Sequence, residues 1–329
     1  MGGKNKKAAM RIVGEDTELR PCVATIGSFD GVHQGHRFVV EQMASQARKK
    51  GLDAVVVTFG GHPLQVLRPD LKPQMLTLAE EKVELLLQTD IDKVALIDFT
   101  QELAQMSAND FMRIVLKEQL RVEVLMIGYD NHIGHDHKGF DDCCRYGEAL
   151  GIEVIGCEEF PSVPKVSSTE VRRALLGGDV ETANDLLGYP YFLQGKVVKG
   201  FQNGRKLGFP TANLQVDDCK LIPENGVYLV RCKMENWKCN LSTVNCQLST
   251  QFGMLNIGTR PTLHNGRQRS VEVHIFDFDG DLYGADMRLE FLHHLRKEKE
   301  FESLEALQQQ LAEDEKACRE LAGKESFHF

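Results

Sequence analysis

His33 and His36 stand three residues apart in GSFDGVHQGH, residues Gly27 to His36, where a glycine-punctuated loop runs into a helical pattern. That spacing puts both imidazoles on one helical face. A helix N-terminus offers unpaired N–H groups and the positive end of a dipole, which suit phosphate. Two imidazole donors beside it could stabilise charge developing on a phosphoryl group. Gly35, between them, lets the backbone be approached closely. A second segment of this kind is GRKLGFPTANL, residues Gly204 to Leu214. Gly204, Gly208 and Pro210 predict a loop rather than a helix. It sets Arg205 and Lys206 beside the hydroxyl of Thr211 and the amide of Asn213. Cations and backbone N–H groups suit phosphate, and hydroxyl and amide oxygens suit Mg²⁺. Two such loops predict two nucleotide sites on one chain.

Other segments carry less specific chemistry. Thr58 to Pro63 (TFGGHP) closes a strand-like run with glycines and a histidine. Gly128 to Gly139 (GYDNHIGHDHKG) is rich in His and Asp, but its spacings match no zinc family, so it reads as a wall of a nucleotide site. Lys165 to Arg172 (KVSSTEVR) joins hydroxyls and a base to a helix start. Asp277, Asp279 and Asp281 resemble the opening of an EF-hand, yet Leu282 stands where that loop needs Gly and Arg288 where it needs Glu, which excludes a Ca²⁺ loop. Glu272 shares a strand face with His274, opposite Val271, Val273 and Ile275. A carboxylate there could take a proton from an alcohol, or simply be a solvated strand residue.

The elements that must hold these residues fall into two patterns. From 22 to 160, strand-like runs (Cys22–Ile26, Ala54–Phe59, Lys93–Ile97, Val122–Ile127, Ile152–Ile155) alternate with helical spacing (Gln34–Lys50, Leu78–Gln88, Asn109–Leu120, Phe140–Leu150). This predicts a Rossmann-like α/β domain, a parallel sheet with helices on both faces and ligands at the C-terminal strand ends. Two short helices follow, Ser168–Leu176 and Val180–Leu187, the second capped by Asp179. After Gly188 short strands recur with only turns between them, predicting a small closed antiparallel β-barrel, and Ser303–Leu321 closes the chain as an amphipathic helix with a serine cap. The expected organisation is therefore a disordered extension over 1–10, a parallel-sheet α/β domain over 11–187 and a β-barrel domain over 188–329.

Length agrees with two domains: 329 residues. The net charge of −9 gives no overall basic field, so phosphates must be held by local loops and nucleic acid is not an expected partner. Nine cysteines, an odd number without a Cys-x-x-Cys, predict reduced thiols and a cytoplasmic protein. No apolar run approaches the roughly 20 residues of a membrane span.

Together, in order and spacing, GSFDGVHQGH, VSSTEVR, GRKLGFPTANL, PENGVY (Pro223–Tyr228), NIGTRPT (Asn256–Thr262) and VEVHIFDFDGDLYG (Val271–Gly284) closely resemble the bacterial bifunctional riboflavin kinase/FAD synthetase family, over about residues 20 to 320. The resemblance implies two reactions with ATP as co-substrate. The C-terminal half would phosphorylate riboflavin to FMN, with Glu272 as catalytic base and Thr211 and Asn213 holding Mg²⁺ and phosphate. Gly204, Lys206, Gly208, Pro210 and Asn256 would complete that site. The N-terminal half would transfer AMP from a second ATP to FMN, giving FAD and pyrophosphate. There His33 and His36 would bind and neutralise phosphate, with Gly27, Phe29, Asp30, Gly31, Gly35, Asp130, Ser168, Thr169 and Arg172 around them. The chain departs from the family pattern at Gly60, Gly61 and His132, which leaves a riboflavin kinase with a weakened or inactive adenylyltransferase half as the alternative. The resemblance permits a monomer or a weak homo-oligomer.

Overall fold

The structure, a computed structural model, describes residues 8–61, 73–128, 132–162, 165–200, 204, 208–235, 251–261 and 267–325. The chain divides into two compact units, Met1–Ser168 and Thr169–Phe329.

The first unit is a six-stranded sheet: β1 (Met10–Gly14), β2 (Cys22–Ile26), β3 (Asp53–Phe59), β4 (Lys93–Ile97), β5 (Val122–Ile127) and β6 (Glu153–Gly156), in the order β1-β4-β3-β2-β5-β6. Strands β2 to β6 are parallel, as their continuous apolar runs require once both faces are covered. Cys22, Ala24 and Ile26 share one core with Val55, Val57, Ala95, Ile97, Leu125 and Ile127. That core is closed by Phe111, Met112, Val115 and Leu116 of the helical stretch Ala108–Asp110 and Phe111–Gln119. The second part of this stretch is wound loosely, so that Leu120 N donates to Val115 O five residues back. Helix α1 (Gln34–Lys50) packs on β2 and β3, burying Val40, Met43, Ala44 and Ala47. Helix α2 (Ala79–Leu87) packs on β4.

The chain runs from β2 outward through β3 and β4, then crosses back to β5 on the other side of β2. The strand order therefore reverses at β2, and the C-terminal end of β2 is where such sheets open a crevice. Gly27 follows that end directly. Strand β1 is antiparallel to β4, with Met10 opposite Ile97, and Ala9 O accepts from Asp98 N at 3.0 Å. Ala9 and Met10, expected in a disordered extension, are thus tied to the sheet edge. Residues 1–7 lie outside the described residues.

The second unit opens with α3 (Ser168–Leu176) and α4 (Val180–Leu187), the latter capped by Asp179, which accepts from Thr182 N at 3.0 Å. It continues as a closed antiparallel barrel of β7 (Phe192–Val198), β8 (Ala212–Val216), β9 (Gly226–Glu235), β10 (Gln251–Pro261), β11 (Arg267–Ile275) and β12 (Asp286–Lys297), in the order β10-β11-β8-β7-β12-β9. Val271, Val273 and Ile275 are buried while Glu272 and His274 are only partly so, as the alternation predicts. Helix α5 (Leu304–Glu325) lies on the barrel, with Cys318 and Ala322 packed among Val227, Leu229, Met254, Phe276 and Leu292. Ser303 Oγ caps it by accepting from Ala306 N at 3.1 Å.

The second phosphate-type segment is not wholly a loop. Its last residues, Ala212 to Leu214, begin β8 and pair with β7 and β11. Glycines and proline dominate the first part of that sequence and mask the strand.

Among the described residues the free thiols of Cys22, Cys143, Cys157, Cys232 and Cys318 are buried. Burial raises all five, Cys22 and Cys318 to about 12 and Cys143 and Cys157 to about 11.

Candidate active sites

In the first unit the loop leaving β2 is tightly constrained. Phe29 (φ 48°), Gly31 (φ 86°) and Val32 (φ 38°) all adopt left-handed backbone, which for Phe and Val is strained and persists only where surroundings enforce it. The enforcement is visible. Asp30 is buried, and its carboxylate accepts from Thr77 N (2.9 Å), Leu76 N (3.2 Å) and Thr77 Oγ1 (3.2 Å). Thr77 Oγ1 in turn accepts from Gly31 N at 3.0 Å. Asp30 therefore anchors the loop to the segment before α2. Ser168 Oγ, at the end of the first unit, donates to Asp30 O at 2.8 Å.

His33 is the N-cap of α1, and its Nδ1 accepts from His36 N at 3.2 Å. A backbone N–H can only donate, so neutral His33 carries its proton on Nε2 and presents a donor there. The two imidazoles stack with centroids 3.6 Å apart. Desolvation pushes His33 down to about 4, against the opposing pull of Asp30. His36 is held well below its ordinary value by desolvation, then by His33 and Lys82. The unliganded pair is thus neutral at neutral pH and offers hydrogen bonds rather than charge. His36 Nδ1 is buried without a hydrogen-bond partner. A Cβ at Gly35 would come within 3.3 Å of the His33 ring.

Beside Gly27 and Ser28 lies a cavity of about 530 Å³, walled by Phe59, Phe99, Phe111 and His132 among others. Its histidine-rich wall is formed by His132, His135 and His137, and the neighbouring Asp136 accepts from Ala108 N at 2.9 Å. Asp130 lies outside the described residues. Thr169 is exposed and Arg172 half-buried, both on α3 of the second unit. Lys82 escaped the sequence reading. It is 2% exposed on α2, and its ammonium donates to Ser28 O (2.9 Å) and Phe59 O (2.6 Å). Nothing in the sequence of α2 marks its one lysine as turned inward.

In the barrel, pairing places Glu272 opposite Asn213 on β8 and opposite Asn256 on β10. The β8–β11 seam consists of two residue pairs, and one of them is Glu272 with Asn213. Thr211, just before β8, donates from Oγ1 to Glu272 Oε2 at 3.5 Å. His274 Nδ1 lies 2.8 Å from Pro210 O, an acceptor, so that nitrogen carries the proton and ties the loop to β11. Gly204 O accepts from Phe209 N at 2.9 Å and closes the loop on itself. A Cβ at Gly200 would strike the Asn213 amide, 2.2 Å away, which shows that this amide packs over Gly200.

A cavity of about 330 Å³ holds Gly204, Thr211, Asn256, Glu272 and His274, with Phe209, Met254, Phe301, Leu307 and Leu311 as its apolar walls. A second of about 500 Å³ is lined by Pro210, Thr211, Val197, Ile275 and the loop Phe278–Tyr283. Thr211 borders both. Asn213 lines neither, although it stands next to Glu272 in register. Gly208 (φ 86°) makes an open turn, and Lys206 lies outside the described residues. Asp277, from the acidic run, is engaged by Arg319 at 2.8 and 3.0 Å.

Two family models match the chain: FAD synthetase over residues 15–170 and riboflavin kinase over 187–322. Proteins named bifunctional riboflavin kinase/FMN adenylyltransferase are similar along nearly the whole length. The one from Listeria monocytogenes is 34% identical, covering 94% of this chain and 95% of its own. Those from Escherichia coli (35%; 92% and 93%) and Pseudomonas fluorescens (36%; 93% and 94%) are comparable. A crystal structure from Streptococcus pneumoniae, of a protein named as a macrolide-efflux protein, superposes with a TM-score of 0.79 at 30% identity, covering 93% of this chain and 96% of that one. Among the described residues of this chain no helix is long and apolar enough to cross a membrane. Two family matches in the order of the two units, with relatives similar from end to end, place this chain in the bifunctional riboflavin kinase/FMN adenylyltransferase family.

Proposed function

We propose that the chain phosphorylates riboflavin in its barrel unit and adenylylates the resulting FMN in its sheet unit, with ATP as donor in both reactions and a cytoplasmic location. The observation that carries the kinase reading is the shared border of two cavities at Thr211, with Glu272 inside one of them.

Glu272 must touch the hydroxyl it deprotonates, so the flavin belongs in the cavity that holds Glu272. The aromatic and aliphatic walls there suit a flat apolar ring system. The nucleotide then belongs in the neighbouring cavity, its terminal phosphate reaching Thr211. The riboflavin oxygen attacks the γ-phosphorus, the bond to the ADP oxygen breaks, and the proton passes to Glu272. The donors at the junction, the Thr211 hydroxyl and the Glu272 carboxylate, are hard oxygens, which fits Mg²⁺; the Asn213 amide, in register with Glu272 but turned over Gly200, would have to swing to join them. When bound there with the nucleotide, Mg²⁺ would neutralise charge on the transferring phosphoryl group.

In the sheet unit the reading assigns phosphate to the start of α1, where the Nε2–H of His33 adds a donor to the helix N–H groups. The 530 Å³ cavity next to Gly27 takes the flavin ring against Phe59, Phe99 and Phe111. The FMN phosphate oxygen attacks the α-phosphorus of ATP, and pyrophosphate leaves. Positioning and hydrogen bonding suffice, without a covalent intermediate.

Incubation with riboflavin and MgATP, followed by chromatography, should show FMN and then FAD. FMN alone would support the kinase-only alternative. Glu272→Gln should lower FMN formation by roughly 10²-fold or more while leaving FAD formation from added FMN intact. An unchanged kinase rate would remove Glu272 from the mechanism.

A further inference from the structure

The phosphate-side loop of the sheet unit, residues Ser28 to Val32, is gripped by one short segment, Leu76 to Lys82, besides the hydroxyls of Thr58 and Ser168 on Ser28 O and Asp30 O. The two ends of that segment grip different parts of the site. At one end, Leu76 N and Thr77 N and Oγ1 hold the Asp30 carboxylate, and Thr77 Oγ1 holds Gly31 N. At the other, the Lys82 ammonium holds the carbonyls of Ser28 and Phe59. Ser28 lies two residues beyond the end of β2, and Phe59 is the last residue of β3. These are neighbouring strands at the point where the strand order reverses, and Gly27, Ser28 and Phe59 all border the 530 Å³ cavity.

A buried ammonium is costly unless its protons are used. Here two go to the carbonyls of Ser28 and Phe59, and the charge lies near the Asp30 carboxylate. The left-handed backbone of Phe29 and Val32 needs an external constraint, and Lys82 supplies it on the side that Asp30 does not reach. The same charge is felt at His36.

We propose that Lys82 is a positioning residue for adenylyl transfer: its ammonium spans the exits of β2 and β3, fixing the His33/His36 loop and the edge of the flavin cavity in one geometry. This rests on the assignment of AMP transfer to the sheet unit. Two further hydrogen bonds cross between these strand ends, Gly27 N to Val57 O (3.2 Å) and Thr58 Oγ1 to Ser28 O (3.1 Å), and Lys82 adds the link that ties Ser28 to the carbonyl of Phe59. Desolvation pushes Lys82 down to about 8, opposed by Asp30, so the clamp is charged below that pH and loses its charge above it. The titratable groups that face it are Asp30 from the loop and His36 from α1, with His33 stacked on the latter. The two histidines are neutral throughout this range, which leaves Lys82 as the group in this cluster that changes charge near pH 8.

The test measures FAD formation from FMN and MgATP between pH 6 and 9.5, with riboflavin phosphorylation on the same preparations as an internal control. Lys82→Met, which keeps the length of the stem, should lower kcat for FAD formation by about 10- to 100-fold and leave the kinase within about twofold. Lys82→Arg, which stays charged, should retain most of the rate at pH 7 and lack the alkaline decline expected near pH 8 in the unaltered chain. An undiminished rate in Lys82→Met overturns the role of Lys82 alone, and so does an alkaline decline that persists unchanged in Lys82→Arg. Absence of FAD from the unaltered chain overturns instead the activity on which the inference rests.

Discussion

Two imidazoles stacked 3.6 Å apart in a nearly dry site do not both hold protons, and His33 and His36 are correspondingly neutral until an anion arrives. The spacing of these residues was legible in the sequence; their protonation was not, because it depends on burial by residues distant along the chain. The sign of the effect on stability follows. His33 titrates near 6.5 when unfolded and near 4 when folded, so between those values the unfolded chain binds the extra proton. Stability of the sheet unit is therefore full above pH 6.5 and falls as pH drops toward 4, by on the order of 2–3 kcal/mol. Thermal melting of the native chain should show this loss between pH 6.5 and 4.5, and His33→Gln should flatten the dependence. Asp30 shows the complementary limit of sequence reading. Its place in the motif suggested a ligand contact, but its carboxylate is occupied by Leu76 and Thr77, and no local signal marks that distant segment as its partner.

At the scale of elements, periodicity carried far. The parallel strands β2 to β5, the helix α1 and the caps at Asp179 and Ser303 all lie where apolar spacing and cap residues predict them. Strand β8 was missed for a physical reason. Its five residues, Ala212 to Val216, follow directly on glycines, a proline and Thr211, and are too few to show the alternation that identifies a strand. That same strand, through the short β8–β11 seam, puts Asn213 opposite Glu272, the base of the proposed kinase step. The loop before it depends on Gly204. A Cβ there would lie 2.2 Å from Phe209 O and 3.2 Å from Thr211 Oγ1, and backbone has no far end to swing away. Gly204→Ala should therefore displace Thr211 and lower the kinase rate by about 10- to 100-fold with FAD formation from added FMN unaffected. Equal kinase rates would show that the loop repacks without moving Thr211.

At the scale of the whole molecule, two units divide at Ser168 and Thr169, whereas a reading of strand and helix patterns places the functional border at 187/188. Helix α4 explains the difference. Asn184 Nδ2 donates to Phe291 O on β12, Asn184 Oδ1 accepts from Tyr191 N, and Glu181 accepts from His294 N. Val180, Ala183 and Leu187 are buried. A fragment of residues 169–329 should melt about 10 °C or more above a fragment of 188–329, since three buried apolar side chains and those bonds are worth several kcal/mol. Equal melting temperatures would make α4 a dispensable appendage of the barrel. The cysteines, finally, are scattered through both units, yet five of them are sealed in apolar surroundings that keep the sulfur protonated. Only the thiolate reacts readily with peroxide or alkylating agents. A catalyst whose products are carriers of electrons is thereby itself largely deaf, at those five sulfurs, to the oxidants around it.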